Sequence, residues 1–318
     1  MALTLAEAAK LSQNPIERGV IETFVINSSV LDRMPLKEIA GNAYAYQTEG
    51  SLPGVEFRAV NAAYAESTGT INTASEKLVI LGGDADVDTF LVKTGGQIAD
   101  LRATQTAGKV KAATYNYQDA FFNGDTAVDA NSFDGLKKRL TGAQVVAAGT
   151  NGIPVVGNGG SDAHAFFDAL DTLVSRVPGL TAQNGAIYAN AAIIAKIRSA
   201  GRRLGGVDMV NEDLTTKRVM TWNGIPVLDP GQTASGIDIL PQTETQGTST
   251  VASSVYAVKF GSDVPDMGVT GLTNGGITVR DLGEIDAKPV LRTRIEFFCG
   301  LALFGGKAAA RLTGVLNG

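Results

Sequence analysis

The sequence predicts a mixed α+β protein, and three observations lead to that class. Helix-like stretches fill much of the first two thirds of the 318-residue chain, whereas short strand-like stretches dominate from Met220 onward. The hydrophobic fraction of 44% is that of an ordinary globular protein. The 38 glycines indicate many turns and close backbone approaches. Because helices and strands occur in mixed order without an internal repeat, the class is α+β.

The start of the chain is predicted to form an arm. Residues 3–12 favour one short helix with Thr4 as its N-cap, and Pro15 fits the first turn of a second helix that ends near Val25. Both helices are too short to be stable alone, so we expect them to lie against something else. Residues 26–40 are predicted to be extended.

The next segment, residues 41–76, is typical of a long two-stranded hairpin with a loose tip near Gly50–Gly54. Its larger apolar residues are spread thinly among small and polar ones: Tyr44, Tyr46, Val55, Phe57, Tyr64 and Ile71. They are too few to form a core, and an isolated two-stranded ribbon is only marginally stable in water. The hairpin must therefore pack either on its own body or on another subunit.

A long helix is predicted over Ile98–Phe122, about 37 Å at 1.5 Å per residue, and Gly124 ends it. Its apolar stripe is weak, which indicates a helix that lies over a sheet or contacts neighbours. Further helices are predicted at 133–140, 161–177 and 190–204, and strands at 186–189, 224–228, 254–260, 276–280 and 290–297.

The last of these strands shows the clearest alternation. Leu291, Thr293, Ile295 and Phe297 fall on one face, while Arg292, Arg294 and Glu296 fall on the other.

Composition argues against several classes of function. A net charge of −5 disfavours tight binding to nucleic acid phosphates, which requires a basic surface. The single cysteine, Cys299, excludes an intramolecular disulfide, and its apolar surroundings in the sequence predict a buried, inert thiol. No targeting segment and no membrane-spanning run is visible, which predicts a cytoplasmic product without a membrane partner.

The stretch most suggestive of chemistry is Gly157–Asp171, GNGGSDAHAFFDALD. As a dinucleotide loop it fails, because Asp162 replaces the third glycine and would repel a pyrophosphate. His164 and Asp168 are spaced to share a helix face, but two ligands make a weak metal site and the chain has no second histidine. The simpler interpretation is a helix capped by Ser161 or Asp162.

Other partial motifs fail in the same way. Gly300–Lys307 is out of register for a phosphate loop, and Phe133 and Leu140 occupy ligand positions of a calcium loop that would begin at Asp129. A Ser-His-Asp triad stays open, although no Gly-x-Ser-x-Gly elbow accompanies it. The sequence therefore predicts a protein that is not an enzyme, with no catalytic, cofactor-binding or metal-binding residue.

The order of elements resembles a known family, the major capsid proteins of tailed bacteriophages with the Hong Kong 97-like fold. The arm, the thin hairpin and the long helix match this family in order over nearly the whole chain. The segments that carry the resemblance are the helix end Gln118–Asp125, the segment Phe133–Leu136, the helix Ser161–Val177 followed by the strand Ala186–Asn190, and the closing strand Lys307–Val315.

The resemblance implies a domain organisation. The segments are an N-terminal arm at 1–40, an extended E-loop at 41–76, a P-domain with a spine helix at 77–156, an A-domain at 157–284, and a C-terminal P-domain strand at 285–318. It also implies inter-subunit contacts through the E-loop, which lies over a neighbour. The candidate contact residues are Tyr44, Tyr46, Val55, Phe57, Arg58 and Tyr64.

The function implied by the resemblance is self-assembly, through pentamers and hexamers, into an icosahedral virion capsid built in the host cytoplasm. The shell would enclose packaged DNA without sequence-specific binding. A portal protein is an implied partner, and the resemblance allows for a decoration or cement protein. Because the arm begins almost at Met1, we expect scaffolding to come from a separate protein.

Two alternatives remain open. A bacterial encapsulin, which is a cargo shell with the same fold, fits less well because of the long arm and broad E-loop. A cytoplasmic hydrolase or ligand-binding protein is the other alternative.

Overall fold

The computed structural model describes residues 28–94, 101–156, 162–204 and 219–317. Helices and strands are mixed along the chain, which confirms the α+β class. In chain order the elements are β1 (Leu36–Glu38), β2 (Ala43–Ser51), β3 (Thr70–Lys77), β4 (Val79–Asp88), α1 (Thr89–Thr94), α2 (Leu101–Asn123), α3 (Leu136–Arg139), β5 (Val145–Ala147), β6 (Ile153–Pro154), α4 (Asp162–Ser175), β7 (Gly185–Tyr188), α5 (Ala191–Leu204), β8 (Met220–Trp222), β9 (Ile225–Leu228), β10 (Glu244–Gln246), β11 (Ser249–Lys259), β12 (Val269–Ile285), β13 (Lys288–Leu303) and β14 (Ala309–Leu316).

The described strands form three sheets. The largest has eight strands, in the order β5-β14-β11-β7-β9-β8, with β10 paired to β11 and β6 paired to β14. A four-stranded sheet has the order β1-β12-β13-β4, and β2 and β3 form a separate two-stranded ribbon. Helices α4 and α5, both predicted from the sequence, cover the large sheet, where Phe166, Leu170, Leu173, Ile193 and Ile197 are buried at helical spacing.

Helix α2 contacts both larger sheets, and it is the long helix that the sequence predicted. The ring of Tyr117 lies 5.8 Å from that of Phe297 on β13, in the four-stranded sheet. One turn further along, the ring of Phe122 lies 5.4 Å from Tyr188 on β7 and 5.3 Å from Tyr256 on β11, in the eight-stranded sheet. The weak apolar stripe is thus explained, because the helix lies over a sheet.

Strand β13 follows the predicted alternation. Thr293, Ile295 and Phe297 are buried against the core, while Arg292 and Arg294 point to the opposite face. There each arginine forms two hydrogen bonds to one aspartate of β4: Arg292 to Asp86, both at 2.7 Å, and Arg294 to Asp84, at 2.8 and 2.9 Å. The pKa of Asp84 is lowered, chiefly by the hydrogen bond from Arg294.

The structure contains strands that the sequence did not predict or predicted as too short. Strand β4 was not predicted, because Gly82 and Gly83 weaken the strand pattern at its centre. Strand β12 extends well beyond the predicted 276–280. The prediction was too short because a bulge at Gly275 and Gly276, both with positive φ, interrupts the alternation of side chains along the strand.

The described part of the arm differs from the prediction of an extended segment over 26–40. Residues 28–34 form a tight turn instead, in which Val30, Leu31 and Met34 are fully buried. This burial stabilises a compact conformation, and only the short strand β1 that follows is extended, parallel to β12. The helices predicted at 3–12 and 15–25 lie outside the described residues.

Strand pairing crosses the domain ranges that the resemblance implies. β12 falls in the 157–284 range but pairs with β13, which falls in the 285–318 range. β14, also within 285–318, pairs with β11 of the 157–284 range. β12 and β13 are consecutive strands that form a hairpin, whereas β11 and β14 are far apart in sequence, and local patterns carry no information about that pairing.

The end of α2 provides a test of the packing. A Cβ at Gly124 would overlap the carbonyl oxygens of Ala120 and Phe133, whereas one at Gly108 on the exposed side of α2 would meet nothing within 4 Å. We expect Gly124→Ala to lower the free energy of unfolding by about 1–3 kcal/mol, as overpacking does. Gly108→Ala is the matched control and should raise it by up to about 1 kcal/mol. Chemical denaturation measures both, and equal effects would contradict this packing.

Candidate assembly interface

The β2–β3 ribbon carries every residue that the sequence assigned to subunit contacts. Its strands pair antiparallel from Ala43 and Lys77 at one end to Ser51 and Thr70 at the other. Residues 52–69, here called the tip, connect them without regular strand structure. The predicted hairpin is therefore present, but its tip is much longer than Gly50–Gly54.

The base of the ribbon is fixed to its own subunit through Tyr46. Its side chain is 6% exposed and its ring packs edge-on against Phe304, with 5.0 Å between ring centroids. The hydroxyl donates a hydrogen bond of 3.0 Å to the carbonyl oxygen of Leu303. Burial, with the Glu76 carboxylate nearby, raises the pKa of Tyr46 to about 12. The tyrosine is therefore neutral and serves as an anchor.

Ion pairs reinforce the same base. Arg139 of α3 binds the carboxylate of Glu76 on β3 through two nitrogens, one of them at 2.7 Å, and both side chains are only 17% exposed. Lys37 bonds to Asp263 at 2.6 Å and lies 4.9 Å from the ring centre of Tyr44. A bidentate arginine–carboxylate pair fixes direction as well as distance, so these contacts set the angle at which the ribbon leaves the body.

At the base, two of the predicted inter-subunit residues have contacts within their own chain. Tyr46 is buried within its own chain, and Tyr44 is half-buried, 6.2 Å from Phe304 between ring centroids. Even-numbered residues of a strand share one face, so a signal for their common packing was present in the sequence. Their common partner Phe304 is distant in sequence, and no local signal identifies it.

The tip, in contrast, is exposed and apolar. Val55 is 96% exposed and Phe57 107%, and Tyr64 is also exposed, as expected for contact residues. Three further exposed apolar residues on the ribbon were not among the predicted contacts: Leu52, Val60 and Ile71. Several large apolar side chains exposed on one segment are typical of an interaction site.

Arg58 has its partners inside the tip. Its Nη1 donates hydrogen bonds to the carbonyl oxygens of Ala62, at 3.1 Å, and Ala59, at 3.3 Å. Its guanidinium lies 5.0 Å from the ring centre of Tyr64. The predicted contact residue therefore organises its own loop.

The described residues of the Gly157–Asp171 stretch lie on helix α4. Helix α4 begins at Asp162, and His164 and Asp168 are exposed on it, while residues 157–161, with the proposed cap Ser161, lie outside the described residues. In the part of the chain that the structure describes, no three histidine, cysteine, aspartate or glutamate side chains cluster as a metal requires. Among the described helices, none has the length and apolar composition that crossing a membrane requires. Cys299 is buried as predicted, and burial raises its pKa to about 12.

The anchored base gives a prediction. In Glu76→Gln the buried guanidinium of Arg139 loses its charged partner, so we expect the ribbon to be destabilised by about 1–3 kcal/mol. The matched control is Glu296→Gln, which breaks the pair with the 65% exposed Arg280 and should have little effect. Hydrogen exchange of residues 43–51, measured with thermal unfolding, reads out both. Equal exchange in the two variants would contradict the anchoring role.

Residues 13–166 match the family model described as major capsid protein GP7. No curated protein sequence matches the chain.

Solved structures match nearly the full length. The holo-SrpI encapsulin complex of Synechococcus elongatus PCC 7942 is 17% identical with a TM-score of 0.66, and the match covers 100% of this chain and 97% of that one. The capsid of a native GTA particle is 14% identical, with a TM-score of 0.63 and coverage of 91% and 90%. Mycobacterium phage Bobi gives 13% identity and a TM-score of 0.59 over the same shares.

At 13–17% identity these structural matches show the fold of the chain. The resemblance predicted from the sequence is confirmed: this chain has the Hong Kong 97-like capsid fold, and over residues 13–166 it matches a major capsid protein family.

Proposed function

We propose that the chain is the major capsid protein of a tailed bacteriophage and assembles into an icosahedral shell around the packaged genome. The observation that carries this proposal is a ribbon whose base is buried in its own subunit while its apolar tip is fully exposed. Such a surface requires a partner, and the capsid fold makes a second copy of this chain the partner of choice.

The geometry suits a ring-forming contact. The ribbon strands, of nine and eight residues, span roughly 30 Å at about 3.4 Å per residue, so the tip lies far from its own base. A tip that docks on the body of the next copy makes a heterologous contact, since two different surfaces meet. Heterologous contacts close into rings when the rotation allows, which accounts for pentamers and hexamers as building blocks.

The charge of the chain agrees with enclosure of DNA rather than binding. Its net charge of −5 gives no general attraction to phosphates, so the genome would be held by the closed shell and not gripped by each subunit. The role is structural and not enzymatic. Localisation in the virion capsid, assembly in the host cytoplasm, and the portal, scaffolding and decoration or cement partners rest on the resemblance.

A second candidate is a cargo shell of the encapsulin type. The observation that favours it is the full-length similarity to the Synechococcus encapsulin structure. Negative-stain microscopy of particles from the native source separates the two: heads with a portal and DNA support the phage capsid, whereas smaller shells filled with protein cargo support the encapsulin.

The role of the tip is tested by the double variant Val55→Ser, Phe57→Ser. Both side chains are exposed in the isolated subunit, so the variant should fold with a free energy of unfolding within about 0.5 kcal/mol of wild type. It should nevertheless form no closed shell in sedimentation or microscopy, because the apolar contact with the neighbour is lost.

The matched control is Val128→Ser. Val128 is 87% exposed but lies outside the ribbon, so its variant should assemble normally. Normal shells from the double variant would overturn the role of the tip.

A further inference from the structure

The two legs of the tip lack strand pairing, yet side chains join them at regular levels. Three hydrogen bonds cross between the legs: Ser51 Oγ with Thr70 Oγ1 at 2.8 Å, Ser67 Oγ to the Gly54 carbonyl oxygen at 3.1 Å, and the Ala65 amide to Glu56 Oε1 at 2.7 Å. We call these three bonds the rungs. They take the place of the backbone hydrogen bonds that would hold an ordinary hairpin.

The three rungs share one register, which the ribbon adopts at its last pair after a shift between Glu49 and Ser51. Ser51 and Thr70 are the last paired residues of β2 and β3, and each later rung is centred on the same point between Val60 and Asn61. At that point the chain reverses in a tight turn, closed by a hydrogen bond of 3.1 Å from the Ala62 amide to the Ala59 carbonyl oxygen. Asn61 adopts the left-handed conformation, with φ of 67°, that asparagine tolerates in turns.

Arg58 stabilises this turn, which lies beyond the last rung. It bonds the carbonyl oxygens on both sides of the turn, Ala59 and Ala62, and covers the ring of Tyr64 on the returning leg. A guanidinium can do this because it holds several N–H donors in one rigid plane that also stacks on an aromatic ring. A lysine ammonium has the same charge but lacks the planar fork.

Polar and apolar residues alternate along residues 55–58 and have different roles. Glu56 and Arg58 form bonds within the tip, whereas Val55 and Phe57, which alternate with them, are left fully exposed. The polar residues therefore determine the shape of the tip, and the apolar residues form its outer surface.

We propose that the tip is already folded in the free subunit as a docking element for a second copy of this chain, with Arg58 as its positioning residue. The proposal rests on the proposed function for the identity of the partner. Its physical consequence is that the conformational entropy of the tip is lost when the subunit folds and not when subunits associate, which favours assembly.

The first experiment measures hydrogen exchange in the unassembled subunit isolated by size exclusion. In wild type we expect the amides of Ala62 and Ala65 to exchange at least about tenfold more slowly than in an unstructured peptide. Arg58→Ala and Arg58→Lys should both lose this protection and both assemble poorly. Wild-type assembly by Arg58→Lys would overturn the proposal, because it would mean that only the charge matters.

The second experiment replaces the rung between Gly54 and Ser67 with a disulfide bond. A Cβ at Gly54 would lie 3.7 Å from the Cβ of Ser67, within the range of about 3.5–4.5 Å that disulfides require. The only native cysteine, Cys299, is buried and will not compete. We expect the oxidised variant Gly54→Cys, Ser67→Cys to assemble like wild type and to rescue Arg58→Ala, whereas its reduced form should not rescue.

The outcomes separate this inference from the proposed function. If the oxidised link blocks assembly, the tip must open to dock, and the inference is wrong. If Arg58→Ala loses exchange protection but still assembles normally, the inference is also wrong, while the contact role of Val55 and Phe57 is tested independently by their serine variants. Protection together with rescue by the disulfide supports it.

Discussion

A two-stranded ribbon cannot bury enough apolar surface to be stable by itself, and this constraint governs the rest of the molecule. The ribbon satisfies it at one end through its own subunit, where Tyr46 packs on Phe304 and Glu76 binds Arg139. At the other end the apolar tip has no cover within the described chain, which leaves it available to a neighbour. Anchoring and assembly are thus two solutions to the same physical problem.

An anchored ribbon is useful only if the body that holds it is rigid. Helix α2 provides this rigidity because its side chains pack against both larger sheets, through Tyr117 on one and Phe122 on the other. Across the four-stranded sheet, the arginine–aspartate pairs between β13 and β4 add directed contacts on the solvent face. Arg139 is held in turn by the Asp134 carbonyl oxygen at 2.5 Å, so the base of the ribbon is tied to the end of α2 through α3.

The candidate interface shows which residues a local pattern can identify. Val55, Phe57 and Tyr64 were predicted as contact residues and are exposed in the subunit, because a segment with so few apolar residues cannot form a core that buries them. Arg58 was assigned to a neighbour, but within the described chain it bonds to residues of its own loop, Ala59 and Ala62, and lies over the ring of Tyr64. Side-chain bonds between the legs of a loop depend on its register, which composition does not reveal.

The sequence by itself determined the α+β class, the long helix, the helices on the large sheet and the alternation of β13, since each of these follows from the spacing of apolar residues along a single segment. It also determined that residues 41–76 contain too few apolar residues to fold alone. The tertiary structure alone decided that β13 pairs with β4 while β14 pairs with β11, that Gly82 and Gly83 lie within a strand, and that Tyr46 faces its own subunit. These outcomes depend on contacts between residues up to about 260 positions apart, and the free energy of such contacts is set by the packed core and not by any local stretch of chain.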